Sequence, residues 1–357
     1  MRAMTFDGPG RKSWTTVPEP KIQAPGDAIV RIDAVTICGT DLHILKGDVP
    51  EVSPGRVLGH ESVGTVVEIG SSVSEVSVDD RVLVSCISGC GRCAYCRRAM
   101  YGQCLRGGGW VLGHVIDGVQ AEFARIPFAD HGLHKLPPTV TDEQALMLAD
   151  ILPTSYEVGI RNGQVGPGDV VAIVGAGPIG LAAVATARLY SPRSIVVIDP
   201  AESRLKRASE DFGADVTIAP TVDEPRRVIE DLTDGLGADV AIEAVGIPET
   251  FEQCVDLVRP GGHVANIGVH GKPATLHLET VWIKNLTITT GLVDTYSTPT
   301  LLQLLADGRL DTRGFVTHRF ELDDFPKAYD VFADAAGNDA VKVALHRAQP
   351  YELAEPR

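Results

Sequence analysis

Val170-Val171-Ala172-Ile173-Val174 runs without a polar side chain into Gly175-Ala176-Gly177-Pro178-Ile179-Gly180, and an alanine-rich stretch follows to Tyr190. A short apolar run ending in glycines reads as a strand buried on both faces, and the alanine-rich stretch reads as a helix. The unit recurs. SIVVID (194–199) precedes AESRLKRASEDFGA (201–214), and DVAIEAV (239–245) precedes a helical stretch over 248–259, the turn Pro260-Gly261-Gly262 and a strand at 263–269. Strand–helix alternation of this kind predicts an α/β fold with a doubly wound parallel sheet.

Before residue 150 the pattern is different. AIVRIDAVTI (28–37), ESVGTVVEIG (61–70), DRVLVSC (80–86) and AEFARI (121–126) are short β-branched runs separated by Gly and Pro, which predict a β-rich domain. The C-terminal region does not continue the alternation. It offers helices in LLQLLADGRL (301–310) and FPKAYDVFADA (325–335) and a strand in VKVALH (341–346), so it is expected to pack back on the first domain. At 357 residues the chain exceeds what one core usually supports. The expected division is 1–152 with 291–357 as one discontinuous domain, and 153–290 as the parallel-sheet domain.

The charge balance, 47 acidic against 32 basic residues, gives −15 and argues against a nucleic-acid partner. No run of eighteen apolar residues is present, and the N-terminal MRAMTFDGPG lacks the apolar core of a secretory signal, so neither a membrane nor export is expected and a cytoplasmic setting is. In a reducing compartment seven cysteines are not expected to form disulfides. Cys90, Cys93, Cys96 and Cys104 fall within fifteen positions and match a closed four-thiolate zinc site. Cys86, four residues before Cys90, leaves the assignment of ligands open, and Cys254 reads as a buried thiol. Cys38 and His60, with too few ligands for a full shell, suit a second metal site that keeps a position open; taken singly they would read as a core thiol and a core imidazole.

Gly175, Gly177 and Gly180 form Gly-x-Gly-x-x-Gly in the strand-to-helix context that favours a dinucleotide, with Pro178 and Ile179 inside the turn. The helix N-terminus offers unpaired N–H groups to a pyrophosphate. Asp199 ends the second strand nineteen positions after Gly180, where a carboxylate accepts from ribose hydroxyls and repels a 2′-phosphate, which favours NAD over NADP. Arg204, with Lys206 and Arg207, could soften that repulsion, and Asp199 could also cap the helix beginning near Pro200, the two roles being compatible. Val245, Ile267 and Val269 fall at the ends of later strands, where ligands bind in such sheets.

Gly59-His60-Glu61-Ser62-Val63-Gly64, Cys38-Gly39-Thr40-Asp41-Leu42-His43, the four-cysteine loop and the glycine-rich turn, in this order, resemble the zinc-dependent medium-chain alcohol dehydrogenases. The resemblance spans essentially the whole chain. It implies a β-rich GroES-like catalytic domain beside a Rossmann domain, two zinc ions per chain, and a homodimer or homotetramer assembled through the cofactor domains. It also implies that the four-cysteine loop holds a structural zinc with Cys86 outside its shell. The catalytic zinc of that family takes Cys38, His60 and a third ligand just before the cofactor domain. The corresponding segment here, Ala149-Asp150-Ile151-Leu152-Pro153-Thr154, has no Cys, and Asp150 is the expected ligand.

The Asp variant and Gly109-Trp110 resemble the bacterial secondary-alcohol branch, in which the Trp lines the substrate pocket. That branch often uses NADP and often lacks the complete cysteine loop, so its substrates do not transfer directly. By the same resemblance Glu61 is a group beside the zinc or an alternative ligand, Thr40 meets the substrate oxygen, His43 is the outer end of a proton relay, and Thr154 presses on the nicotinamide. Zinc lowers the pKa of a bound water from about 15.7 to about 7, worth about 12 kcal/mol at ~1.36 kcal/mol per pH unit, so the metal dominates the expected chemistry. The expected substrates are small alcohols, aldehydes or ketones. A polyol or threonine-type dehydrogenase is the nearer alternative, and a non-enzymatic nucleotide-binding or zinc-loop protein the more distant one.

Overall fold

The computed structural model describes residues 1–348; residues 349–357, the end of the expected catalytic domain, lie outside the described residues. The chain divides into two compact units, one of Met1–Val84, Val111–Lys135 and the chain from Val316 onward, the other of Ser85–Trp110 and Leu136–Phe315.

The first unit carries a seven-stranded sheet in which Val316–Glu321, Lys342–His346, Ala28–Thr36, Ser62–Ile69, Arg81–Val84 and Leu133–Lys135 follow one another across the sheet, with Phe123–Ile126 also paired to Ala28–Thr36. The C-terminal strand does return to the N-terminal region, placing Leu345 opposite Val35 and His346 opposite Ala34. A smaller sheet joins Lys12–Thr16, Arg2–Phe6 and Arg56–Val57. Gly64 permits the close central pairing, because a Cβ there would lie 2.1 Å from the Arg31 carbonyl oxygen.

The second unit is built on a six-stranded parallel sheet in the order Val216–Ile218, Ser194–Ile198, Val170–Val174, Ala238–Glu243, Val258–Asn266, Thr287–Thr290. The central strand Val170–Val174 is buried throughout, as its continuous apolar sequence requires. The chain leaves it for one side of the sheet and later returns on the other, so a crevice opens beside its C-terminal end. Val216–Ile218 and Thr287–Thr290 were not anticipated, being short edge strands without a long apolar run.

The fifth strand begins earlier than expected, at Val258, and runs through Pro260-Gly261-Gly262. Pairing with the sixth strand starts only at His263, so the missing N–H of Pro260 costs no bond on that side, and a register shift absorbs Gly261 at φ +74°. By compactness the four-cysteine loop groups with the parallel sheet, whereas the expected functional division put it in the catalytic domain. Among the described residues no helix is long and apolar enough to cross a membrane.

Candidate metal and cofactor sites

In the first unit the chain enters the helix Gly39–Lys46 at Cys38 and enters the strand Ser62–Ile69 from His60-Glu61. These turns bring one ligand atom from each of Cys38, His60 and Glu61 within 4.8 Å of one another. His60 and Glu61 are buried and Cys38 is half-buried. Thr40 Oγ1 lies 3.6 Å from Cys38 Sγ. His43, one turn further along the helix, faces Asp48, whose Oδ2 is 2.8 Å from its Nδ1.

Four residues that sequence reading missed support this cluster. Lys342 Nζ donates to Glu61 Oε2 at 2.5 Å and to the Ile37 carbonyl at 3.2 Å, and both ionic side chains are almost fully enclosed. Asp41 Oδ2 accepts from the Cys38 N–H at 2.9 Å and from Gln120 Nε2 at 2.9 Å, while Tyr329 donates to Gln120 Oε1 at 2.7 Å. Burial pushes the Asp41 carboxyl up, with His60, the Cys38 N–H, Lys342 and Gln120 pulling the other way. Lys342 did leave a trace, as a lone charge in the otherwise apolar VKVALH, since a buried lysine demands a partner.

The second unit contains the four-cysteine loop, whose sulfurs all lie within 4.8 Å of one another. Cys90 Sγ and Cys96 Sγ are 3.9 Å apart, close to the ~3.8 Å edge of a tetrahedron with about 2.3 Å zinc–sulfur bonds. Cys93 Sγ accepts backbone N–H bonds from Cys96 at 3.4 Å and Leu105 at 3.5 Å, which lower its pKa to about 6. Burial and the neighbouring thiols push Cys96 up to about 12. Four adjacent thiolates therefore need a cation to ionise together, and all seven cysteines are free of disulfides.

Also in this unit, Asp150 immediately precedes the helix Ile151–Thr154, and Thr154 Oγ1 donates to its Oδ1 at 2.6 Å. The spacing of four is one helical turn, so the Thr154 hydroxyl is committed to orienting this carboxylate. A π-helical stretch, Ser155–Arg161, follows.

The glycine-rich turn has its expected form. Gly175 has φ +104°, a Cβ on Gly180 would sit 1.8 Å from the Gly175 carbonyl oxygen, and Gly177 caps the helix Pro178–Ala187 with proline in its first turn. Among the described residues a Cβ on Gly177 would meet nothing within 4 Å, so their packing does not require this glycine and leaves space before the helix for a ligand. Asp199 is buried; its Oδ2 accepts from Ala176 N–H and its Oδ1 from Ala201 N–H, both at 2.8 Å, with Arg204 3.9 Å away. The helix after it is Glu202–Glu210 with Ala201 at the cap, so the expected capping role of Asp199 is replaced by anchoring of the two flanking turns.

Val245 and Val269 expose their side chains, while Ile267 is buried near Gly159, where a Cβ would come within 2.7 Å of it. Trp110 packs against the buried cluster of Cys86, Ile87 and Val293.

Residues 24–138 match the model described as alcohol dehydrogenase GroES-like domain, and 178–307 match zinc-binding dehydrogenase. An alcohol dehydrogenase of Cupriavidus necator is 37% identical over 97% of this chain and 98% of its own length. The chain belongs to the zinc-dependent medium-chain alcohol dehydrogenases. Zinc-dependent alcohol dehydrogenase 2 from Streptococcus pneumonia superposes with TM-score 0.93 at 46% identity, covering 100% of both chains. An erythritol/L-threitol dehydrogenase of Mycolicibacterium smegmatis is 32% identical over 97% of each chain. The fold is thus the GroES-like and Rossmann-like pair, and the activity is zinc-dependent alcohol oxidoreduction with a nucleotide cofactor.

Proposed function

We propose that this dehydrogenase moves a hydride between NAD(H) and a small to medium alcohol or the matching aldehyde or ketone. The observation that carries the cofactor choice is Asp199, a buried carboxylate fixed by two backbone N–H groups at the end of the second strand. It suits ribose hydroxyls and opposes a 2′-phosphate. Gly175, Gly177, Pro178, Ile179 and Gly180 hold the pyrophosphate, with Arg204 at the rim. Thr154, Val245, Ile267 and Val269 serve the nicotinamide half, and Trp110 shapes the alcohol pocket. In functional terms 1–152 with 291–357 is the catalytic domain and 153–290 the cofactor domain.

Cys38, His60 and Asp150 hold the catalytic metal, with Glu61 beside it. Zinc bound there supplies Lewis-acid polarisation of the substrate oxygen. Thr40 hydrogen-bonds that oxygen and takes its proton outward, and His43 delivers the proton to solvent. Asp48 holds Nδ1 of His43, which leaves Nε2 to exchange the proton. The four-cysteine loop holds the second zinc. The chain acts in the cytoplasm as a homodimer or homotetramer joined through the parallel-sheet unit, whose edge strand Thr287–Thr290 follows the exposed Trp282 and Ile283 in sequence.

A polyol substrate is the second reading, favoured by the similarity to the erythritol/L-threitol enzyme. Steady-state kinetics with primary, secondary, aromatic and polyhydroxy alcohols, each with NAD and NADP, separate these readings. Higher kcat/KM with NADP overturns the role of Asp199, and faster turnover of polyols than of simple secondary alcohols overturns the substrate class.

A further inference from the structure

The four-cysteine loop touches more than its own ligands. The Gly102 N–H donates to Asp294 Oδ1 at 2.8 Å. A Cβ at Gly102 would lie 2.9 Å from the Val293 carbonyl oxygen, so the loop backbone rests directly on this segment. Val293 is buried with Cys86 and Ile87, against which Tyr101 and Trp110 pack, and Ser85 Oγ donates to Thr295 Oγ1 at 2.9 Å. Residues 291–297 follow the sixth parallel strand, Thr287–Thr290, and leave its C-terminal end, the end of the sheet that receives a nucleotide.

The segment is gripped from its other side as well. The buried Glu157 accepts from the N–H groups of Asp294 at 2.9 Å, Thr295 at 3.1 Å and Ser297 at 2.9 Å, and from Ser297 Oγ at 2.6 Å. Thr295 is thereby held at φ +63°, a conformation that a β-branched residue rarely adopts. Glu157 belongs to the π-helical stretch that follows Asp150 and Thr154. The backbone at 294–297 therefore has one fixed support, Glu157, and one support whose order depends on four thiolates.

We propose that Asp294 is a positioning residue, coupling the order of the four-cysteine loop through Gly102 to the strand-end segment 291–297 and so setting affinity for the nicotinamide half of the cofactor. The loop then acts on cofactor binding as well as on stability. This inference rests on the NAD reading above.

The test uses the zinc-loaded full chain as wild type, Asp294→Ala, Asp294→Asn, Cys104→Ser and the Asp294→Ala/Cys104→Ser double variant. NADH and ADP-ribose affinities are read by fluorescence titration and calorimetry, beside zinc content. Asp294→Ala is expected to keep two zinc ions and to weaken NADH about tenfold, within the usual range of coupling between sites, with ADP-ribose unchanged. Asp294→Asn retains an acceptor oxygen and should bind NADH like the wild type.

In the cycle, the double variant should lose no more NADH affinity than the weaker single variant. Additive losses, equal weakening of NADH and ADP-ribose, or unchanged NADH affinity in Asp294→Ala each overturn the inference. If Cys104→Ser does not fold, the two Asp294 variants decide alone. A wild type that binds neither nucleotide sinks the underlying cofactor reading instead.

Discussion

The four-cysteine loop and the Cys38–His60–Glu61 cluster bring similar numbers of ligand atoms to similar distances, but they are stabilised in opposite ways. In the loop every ligand is a thiol within fifteen residues, and backbone N–H groups of the same loop bond the sulfurs. Around Cys38 the donors are mixed, and the local charge is already answered by Lys342, which reaches Glu61 from 281 residues away. A site closed by like ligands depends on its metal to cancel repulsion. The proposed mixed site retains an internal counterion, so its scaffold would persist while a coordination position changed hands.

That contrast can be broken most directly by exchanging single ligands. Cys38→Ser should reduce zinc to one per chain and lower kcat/KM at least about 10³-fold with little change in melting temperature. Cys104→Ser should also lose one zinc, but it should lower the melting temperature far more than it lowers kcat. Metal analysis, calorimetry and kinetics on the same preparations decide, and equal melting losses in both variants would erase the distinction.

Next in size is Lys342→Met. Glu61 would remain buried without its cation, costing about 3–5 kcal/mol in urea unfolding of the zinc-free chain. If Glu61 can turn to the metal, the loss should shrink when zinc is restored. Equal losses with and without zinc would show that Glu61 never leaves its buried position.

Acid should expose a weakness in the mixed site's scaffold. His134 lies on Leu133–Lys135, two strands from the strand that follows Glu61, and its Nε2 is buried without a hydrogen-bond partner among the described residues. Burial, with some repulsion from His131, lowers its pKa to about 4 from 6.5. The unfolded chain therefore binds the extra proton between about pH 4 and 6.5, and stability falls as pH falls through that window. At pH 4 the loss approaches about 3 kcal/mol, less where solvent reaches the half-buried ring. His134→Gln should flatten the denaturant-midpoint profile over this range; a profile as steep as wild type would assign the acid loss elsewhere. The smallest effect is expected from Asp199→Ala, a fall of about tenfold in kcat/KM for NAD relative to NADP. An unchanged ratio would remove Asp199 from cofactor selection.

Legibility in the sequence followed the range of the interactions. Gly175, Gly180 and the cysteine loop were readable because their constraints act within a few residues, and the central strand because burial on both faces leaves an unbroken apolar run. Glu157 and Asp294 were not, since each carboxylate meets donors from a distant segment and nothing in its immediate sequence marks the meeting. Gln120 and Tyr329 are more opaque still, as neutral polar residues in core positions. The edge strands Val216–Ile218 and Thr287–Thr290 were missed because neither is long enough to show a period. Lys342 lies between these extremes, visible as an anomaly but not assignable to a partner.

The two hydrogen bonds at Asp199 bear on any attempt to redesign this chain for the phosphorylated cofactor. Its carboxylate is a hinge pin as well as the proposed selector, since one oxygen ties down the glycine turn at Ala176 and the other the start of the next helix at Ala201. Swapping the side chain alone would unfasten both turns while removing the negative charge. A successful conversion would first have to supply a neutral substitute that keeps both fastenings, and only then add a cation for the phosphate.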